Sequence, residues 1–201
     1  MTVRITSPAQ AKALGIPGIK GKAKARERRP KSPGPMPLPP GRLLALDPSS
    51  TAVGWAMFQD GELRWVGVTR SASNDMQRRC VALADAIASL AAEWRPEVVV
   101  VEMFSGFHRK GERGGRINKA TILSLARAQG FLLGRLHGAG HKAVVPVPAN
   151  KWTHSKGKAD RAKLVDLTQP IYSEFARKDG DKGLDGADAV GLGLWYLGGC
   201  R

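Results

Sequence analysis

The hydrophobic pattern of the chain changes character near residue 41, and beyond that point apolar residues recur with the periods of regular structure. Leu43–Leu46 is a short apolar run ending at Asp47, and Ala52–Phe58 and Leu63–Val68 read as two further strands. Gln59-Asp60-Gly61 separates those two, and an Asp-Gly pair favours a tight hairpin turn. From Asp75 to Trp94 the period lengthens. Met76, Cys80, Leu83, Ala84, Ile87, Leu90, Ala91 and Trp94 recur at three- and four-residue steps, as on one face of a helix. Ser73 or Asn74 is placed to cap this helix and Pro96 to stop it. Val98–Val101 is uniformly β-branched, the composition of a strand covered on both faces, and it too ends in an acid, Glu102.

A polar, glycine-rich connection over Ser105–Arg116 leads into a helix over Asn118–His137, and Ala143–Val147 makes a fifth strand. A basic loop, a helix over Asp160–Thr168, a second loop and a closing helix over Asp185–Leu197 follow. Three strands in a meander, then alternating helices and strands, predict an α/β fold. Its five-stranded mixed sheet combines an antiparallel β1-β2-β3 unit with parallel strands, flanked by helices.

Residues 1–40 follow no such period. They hold eight of the thirteen prolines, and nine Lys or Arg against the single acid Glu27. Such a stretch buries too little apolar surface to offset the entropy of ordering, so it reads as a disordered basic arm ahead of a folded domain at 41–201. Either the arm raises affinity for a polyanion or it is a solubilising leader; composition allows both. The whole chain of 201 residues carries +15, with 32 Lys and Arg against 17 Asp and Glu. That surplus points to nucleic acid as the partner without naming an activity, since a structural nucleic-acid protein shows the same bias. Two cysteines, Cys80 and Cys200, make neither a disulfide framework nor a thiolate zinc site and read as reduced thiols. No apolar run approaches the ~20 residues that span a bilayer, and no signal peptide is visible, so the expectation is a cytoplasmic protein without membrane contact.

Chemistry concentrates in four acids. Asp47 and Glu102 each follow a buried strand, and if those strands are parallel neighbours their carboxyl ends bring the two side chains together. Asp185 and Asp188, three residues apart at a helix start, share a face, and the helix N-terminus favours their ionised state. Four converging carboxylates repel one another unless a cation neutralises them, so their pKa values should be raised without metal. All-oxygen ligands suit Mg²⁺ or Mn²⁺, and two such ions ~4 Å apart serve phosphodiester hydrolysis. Each acid also has an ordinary alternative: Asp47 bonding turn amides in Asp-Pro-Ser-Ser, Asp185 or Asp188 capping a helix.

The wording of these segments resembles the RuvC family of Holliday junction resolvases. LLALDPSSTAVGWAMF is similar to that family's first two strands, through Asp47, Pro48, Ser49, Ser50, Gly54 and Trp55. VVVVEMF matches its strand ending in a glutamate ligand, LARAQGFLLGRL its next helix, and LDGADAVGLGLWYL its closing helix. The four motifs fall in order over about residues 43–198. The resemblance implies a ribonuclease H-like fold and a homodimer that nicks two strands of a four-way DNA junction symmetrically. Asp47 would bridge two metal ions, with Glu102 completing one site and Asp185 and Asp188 the other. No small-molecule cofactor is implied. The helix at about 118–138 is similar to the family's interface helix, although core packing by Ile122, Leu125, Phe131 and Leu132 would produce the same stripe.

The segment NKWTHSKGKADRAKL resembles the family's phosphate-binding loop, with Lys151, Lys158 and Arg161 as first contacts and Lys156 and His154 as seconds. An aromatic that stacks on a base follows the glutamate in the family. Phe104 and Phe107 are both candidates, Phe107 lying beside Arg109 and Lys110. Two features depart from the pattern: a longer, more basic loop at Gly106–Arg116, and the arm before residue 41. They suit a divergent or phage-encoded member accepting several branched DNAs. Two rival functions are a ribonuclease H-like nuclease for structured RNA or RNA–DNA hybrid, and a basic nucleic-acid binder without catalysis. A binder gains nothing from clustered carboxylates, which repel phosphate.

Overall fold

Strand β1 (Arg42–Pro48) lies at the centre of the sheet, and every side chain from Leu43 to Leu46 is buried, which requires cover on both faces. The computed structural model describes residues 41–104, 119–153 and 156–198. Around β1 stand β2 (Ala52–Gln59), β3 (Glu62–Arg70), β4 (Val98–Met103) and β5 (Val144–Pro148) in the order β3-β2-β1-β4-β5. The first three are antiparallel, and β4 and β5 run parallel to β1. This is the mixed sheet expected from the pattern. Asp60 and Gly61 turn the β2–β3 hairpin with φ of 54° and 83°, both positive, the conformation for which Asp-Gly is suited.

Six helices accompany the sheet among the described residues: α1 (Met76–Trp94), α2 (Lys119–Gly138), α3 (Ala149–Trp152), α4 (Lys158–Thr168), α5 (Pro170–Lys178) and α6 (Asp185–Tyr196). Strand alternation sorts the core into two faces. Leu44, Leu46, Val99 and Val101 pack with Leu83, Ile87, Leu132 and Leu136 of α1 and α2. Leu43, Ala45 and Val100 pack with Ala189, Val190 and Leu192 of α6. The same alternation carries forward to Asp47 and Glu102, which continue the series that faces α6.

Four sequence expectations change. Asp75, not Ser73 or Asn74, caps α1, accepting the Arg78 N–H at 2.7 Å. The loops flanking α4 contain α3 and α5, the latter opened by Pro170, whose missing N–H costs nothing at a first helical position. The fourth helix begins at Lys158, two residues ahead of the expected Asp160. Of the α2 apolar stripe, Leu132 is fully buried, Ile122, Leu125 and Phe131 are partly buried with Phe131 against the core, and Leu123 is 52% exposed. Core packing thus accounts for only part of that stripe. Cys80 is buried and unpaired, and no helix among the described residues is long and apolar enough to cross a membrane.

Candidate active site

Parallel pairing of β1 with β4 runs in register from Leu43 opposite Val98 to Leu46 opposite Val101. One step further along both strands stand Asp47 and Glu102. The third source of acid is α6, which crosses the same face with Asp185 in its first position and Asp188 one turn on. Asp188 is 3% exposed, unusual for a carboxylate unless it is paired.

A cation already lies among three of these acids. The Lys158 ammonium at the start of α4 is 2.8 Å from Asp185 Oδ1, 3.2 Å from Asp188 Oδ2 and 3.6 Å from Asp47 Oδ2. Arg161, one turn on, donates from Nε to Asp188 Oδ1 at 2.9 Å and places Nη2 at 2.8 Å from the same oxygen. Glu102 is held separately: the indole N–H of Trp152 donates to its Oε2 at 2.9 Å, and Gln129 donates to its backbone carbonyl at 3.3 Å. Burial pushes the Glu102 carboxyl up to about 7, with repulsion from Asp188 adding to it and the Trp152 hydrogen bond opposing. Asp47 is raised well above the carboxylate range, first by burial and then by Glu102. Desolvation pulls the Lys158 ammonium down, but Asp47, Asp185 and Asp188 together outweigh it and hold it above its ordinary range.

The ordinary alternatives for the aspartates meet specific obstacles. Ser49, not Asp47, bonds the turn after β1, accepting the Thr51 and Ala52 N–H groups at 3.3 and 3.0 Å and donating to the Ala52 carbonyl at 2.9 Å. Arg79 of α1 ties the same turn down through the Ser50 carbonyl at 2.6 Å. Neither Asp185 nor Asp188 caps α6. The residue before the helix is Leu184, in the left-handed region at φ 57°, which makes no capping bond through its side chain. The Ala187 N–H instead goes to buried Asp181 Oδ2 at 2.9 Å, and the Tyr172 hydroxyl donates to that oxygen at 3.2 Å. The helix start is therefore served from beneath, which frees Asp185 and Asp188 to face the β1 and β4 acids.

Gly54 shows why the β2 motif carries a glycine. It pairs directly with Asp47 across the β1–β2 ladder, and a Cβ there would overlap the backbone carbonyl of Asp185. Only a residue without a side chain lets α6 approach the sheet this closely. Gly54→Ala should displace Asp185 and lower stability by ~1–3 kcal/mol, the usual cost of overpacking, read from denaturant unfolding.

As a donor set the four carboxylates fit a hard divalent ion: all oxygen, with more negative charge than the two nearby cations balance, and burial raises the proton affinity of Asp47, Glu102 and Asp188. Among the described residues no three such side chains are spaced closely enough to hold a metal ion as they stand, and the Lys158 ammonium lies between Asp47, Asp185 and Asp188.

Other expected contacts are placed variously. Lys151 in α3 and Lys156 are exposed, whereas Lys158 and Arg161, expected on phosphate, have their charged ends on the carboxylates. Phe104 is half-buried one residue past β4. Phe107, Arg109, Lys110 and His154 lie outside the described residues, as does the segment 1–40. Sequence reasoning missed Trp152, Gln129, Asp181 and Tyr172. Trp152 stood inside the basic segment, where the positive charge drew attention; the only signal for Tyr172 was the Pro170 helix start.

No family model matches the chain. A crossover junction endodeoxyribonuclease RuvC from Thermomicrobium roseum is 27% identical over 163 residues, 78% of this chain and 92% of that protein. The protein of the same name from Corynebacterium diphtheriae is 26% identical over 161 residues, 76% of this chain and 91% of its own length. Among solved structures, Thermus thermophilus RuvC in complex with a Holliday junction substrate superposes with a TM-score of 0.57 at 16% identity, covering 80% of this chain and 98% of that one. The yeast mitochondrial Holliday junction resolvase Ydc2 gives 0.57 at 15% identity, covering 83% and 80%. The mixed five-stranded sheet with its flanking helices is thus a ribonuclease H-like fold, and in both sequence and architecture the chain resembles the RuvC-type Holliday junction resolvases.

Proposed function

We propose that this protein is a divalent-metal-dependent, structure-selective endonuclease that resolves four-way or related branched DNA junctions. The observation that carries the reading is the convergence of Asp47, Glu102, Asp185 and Asp188, from β1, β4 and α6, on one face of a strongly basic chain. Those acids, Asp47 among them, would hold two Mg²⁺ or Mn²⁺ ions. The chemistry such ions would supply there is an activated water for attack on the phosphodiester and charge stabilisation of the leaving oxygen.

The chain's own groups do the rest. The four carboxylates set where positive charge collects. Arg161 fixes Asp188 and opposes the upward push that burial gives its carboxyl. Lys151 in α3 and Lys156 just ahead of α4 are exposed on the segment that carries Trp152 and suit phosphates flanking the reacting one, while Lys158 is held by the acids themselves. Phe104 or Phe107 would stack on a base at the junction centre. Symmetric cleavage of a two-fold junction requires two identical sites at a fixed separation, hence a homodimer. The outer face of α2 suits that role: Leu123 is exposed, and an open concavity of about 620 Å³ is lined by Val81, Arg127, Gly130, Phe131, Gly134 and Arg135. The basic segment 1–40 would add affinity for DNA electrostatically.

The deciding experiment incubates the full chain with a labelled immobile four-way junction, a matched duplex and an RNA–DNA hybrid, each with and without Mg²⁺, and maps the nicks. Paired, symmetric, Mg²⁺-dependent nicks in the junction alone are expected. Preferential cleavage of hybrid would move the reading to another nucleic acid. Tight binding without cleavage in any divalent ion would reduce it to a binder.

A further inference from the structure

Trp152 ends the short helix α3 and is 4% exposed, and its indole meets three elements at once. Its N–H donates to Glu102 Oε2 at 2.9 Å. Its ring face carries the Arg161 guanidinium, whose central carbon lies 4.9 Å from the ring centroid and whose nitrogens hold Asp188. Its outer edge fits against Gly191 of α6, where a Cβ would stand 2.9 Å from ring Cζ3. The side chain is therefore bonded to the β4 acid, stacked under the partner of an α6 acid, and wedged against the helix that carries that acid.

A residue that only filled space would not need the nitrogen. Leucine or phenylalanine suits an apolar slot, whereas a buried indole N–H must find an acceptor, and here the acceptor is a carboxylate of the acid cluster. Glutamate reaches its carboxylate through three rotatable bonds, so a strand end alone does not aim it. A donor fixed by packing on two sides does.

We propose that Trp152 is a positioning residue for the acid site: it sets the Glu102 carboxylate relative to Asp188, and through both it sets the affinity of the site for divalent ions. This rests on the metal-site reading above. Partners that orient metal ligands typically matter by ten- to a hundred-fold in metal affinity, and Trp152 holds one ligand directly and a second through Arg161.

The test uses the full chain without DNA and two probes. Calorimetric titration with Mn²⁺ reads affinity, and Tb³⁺ emission excited through indole reads whether an ion sits beside Trp152. Trp152→Phe keeps a ring in the slot but loses the donor. It should bind Mn²⁺ about ten- to a hundred-fold more weakly than the unaltered chain and lose most of the sensitised Tb³⁺ emission. Trp65→Phe, at an exposed position on the far edge strand β3, should leave both readings unchanged. Gly191→Ala crowds the ring from behind without touching the nitrogen and should also weaken Mn²⁺ binding; it decides the matter if Trp152→Phe does not fold. A folded Trp152→Phe protein with unchanged Mn²⁺ affinity would overturn the positioning role and leave the metal site standing. Absence of saturable ion binding in the unaltered chain would remove the metal site and this inference together.

Discussion

Asp47→Asn is expected to lower the single-turnover rate of junction cleavage by at least about 10³-fold, because several kcal/mol of transition-state charge stabilisation depend on the ions this carboxylate would share. Asparagine keeps the shape and removes the charge, so β1 and its pairing with β2 and β4 should be undisturbed. Binding to the junction, measured by anisotropy at fixed salt, should change only a few-fold, since affinity for DNA comes mainly from phosphate contacts made by cations. Stability supplies an independent sign. Asp47 is buried beside Glu102 and its carboxyl is raised well above the usual range, so its charge is a burden on the metal-free fold. The metal-free variant should therefore melt higher than the parent, not lower. Loss of cleavage, binding and stability together would show that Asp47 is structural.

The second large effect is on pH. Glu102 rises from an ordinary 4.5 to about 7, mainly through burial and then through Asp188. The folded protein therefore holds this proton more tightly than the unfolded chain does. Stability contributed by the protonated form is fully present below 4.5 and is lost as pH rises toward about 7, amounting to at most about 3 kcal/mol. Above that window the term is flat. Divalent ions should reverse the sign, since on the proposed reading they would bind the ionised carboxylates and stabilise the fold by mass action. Melting temperature without metal should fall from about pH 5 to about pH 7, whereas the increment from added Mg²⁺ should grow from near zero to its full value. An increment independent of pH would mean that the ions bind elsewhere.

How much of this was legible in the sequence can be judged from particular residues. Leu43–Leu46 and Val98–Val101 announced central strands because both faces of each are apolar. The Asp60-Gly61 turn was readable because few residue pairs accept two positive φ angles. The α5 helix was not, for its nine residues lie between the polar end of α4 and a Gly-Asp-Lys-Gly stretch that reads as loop. The Asp75 cap was missed by one residue, since neighbouring Ser73, Asn74 and Asp75 are all good caps and only the helix register chooses among them.

For the site, the sequence alone determined the identity of the acids and the strand ends that carry two of them, because hydrophobic period and residue type are local properties. Three matters were settled only in three dimensions. Parallel pairing of β1 with β4 turned Asp47 and Glu102 to the same face; Gly54 let α6 come close enough for Asp185 and Asp188 to join them; and Lys158, Arg161 and Trp152 were directed onto the carboxylates and not onto open surface. The physical reason is that electrostatic and hydrogen-bond energies depend on distances between groups remote in the chain. Spacing along one strand or helix carries no record of those distances until the core packs and fixes them.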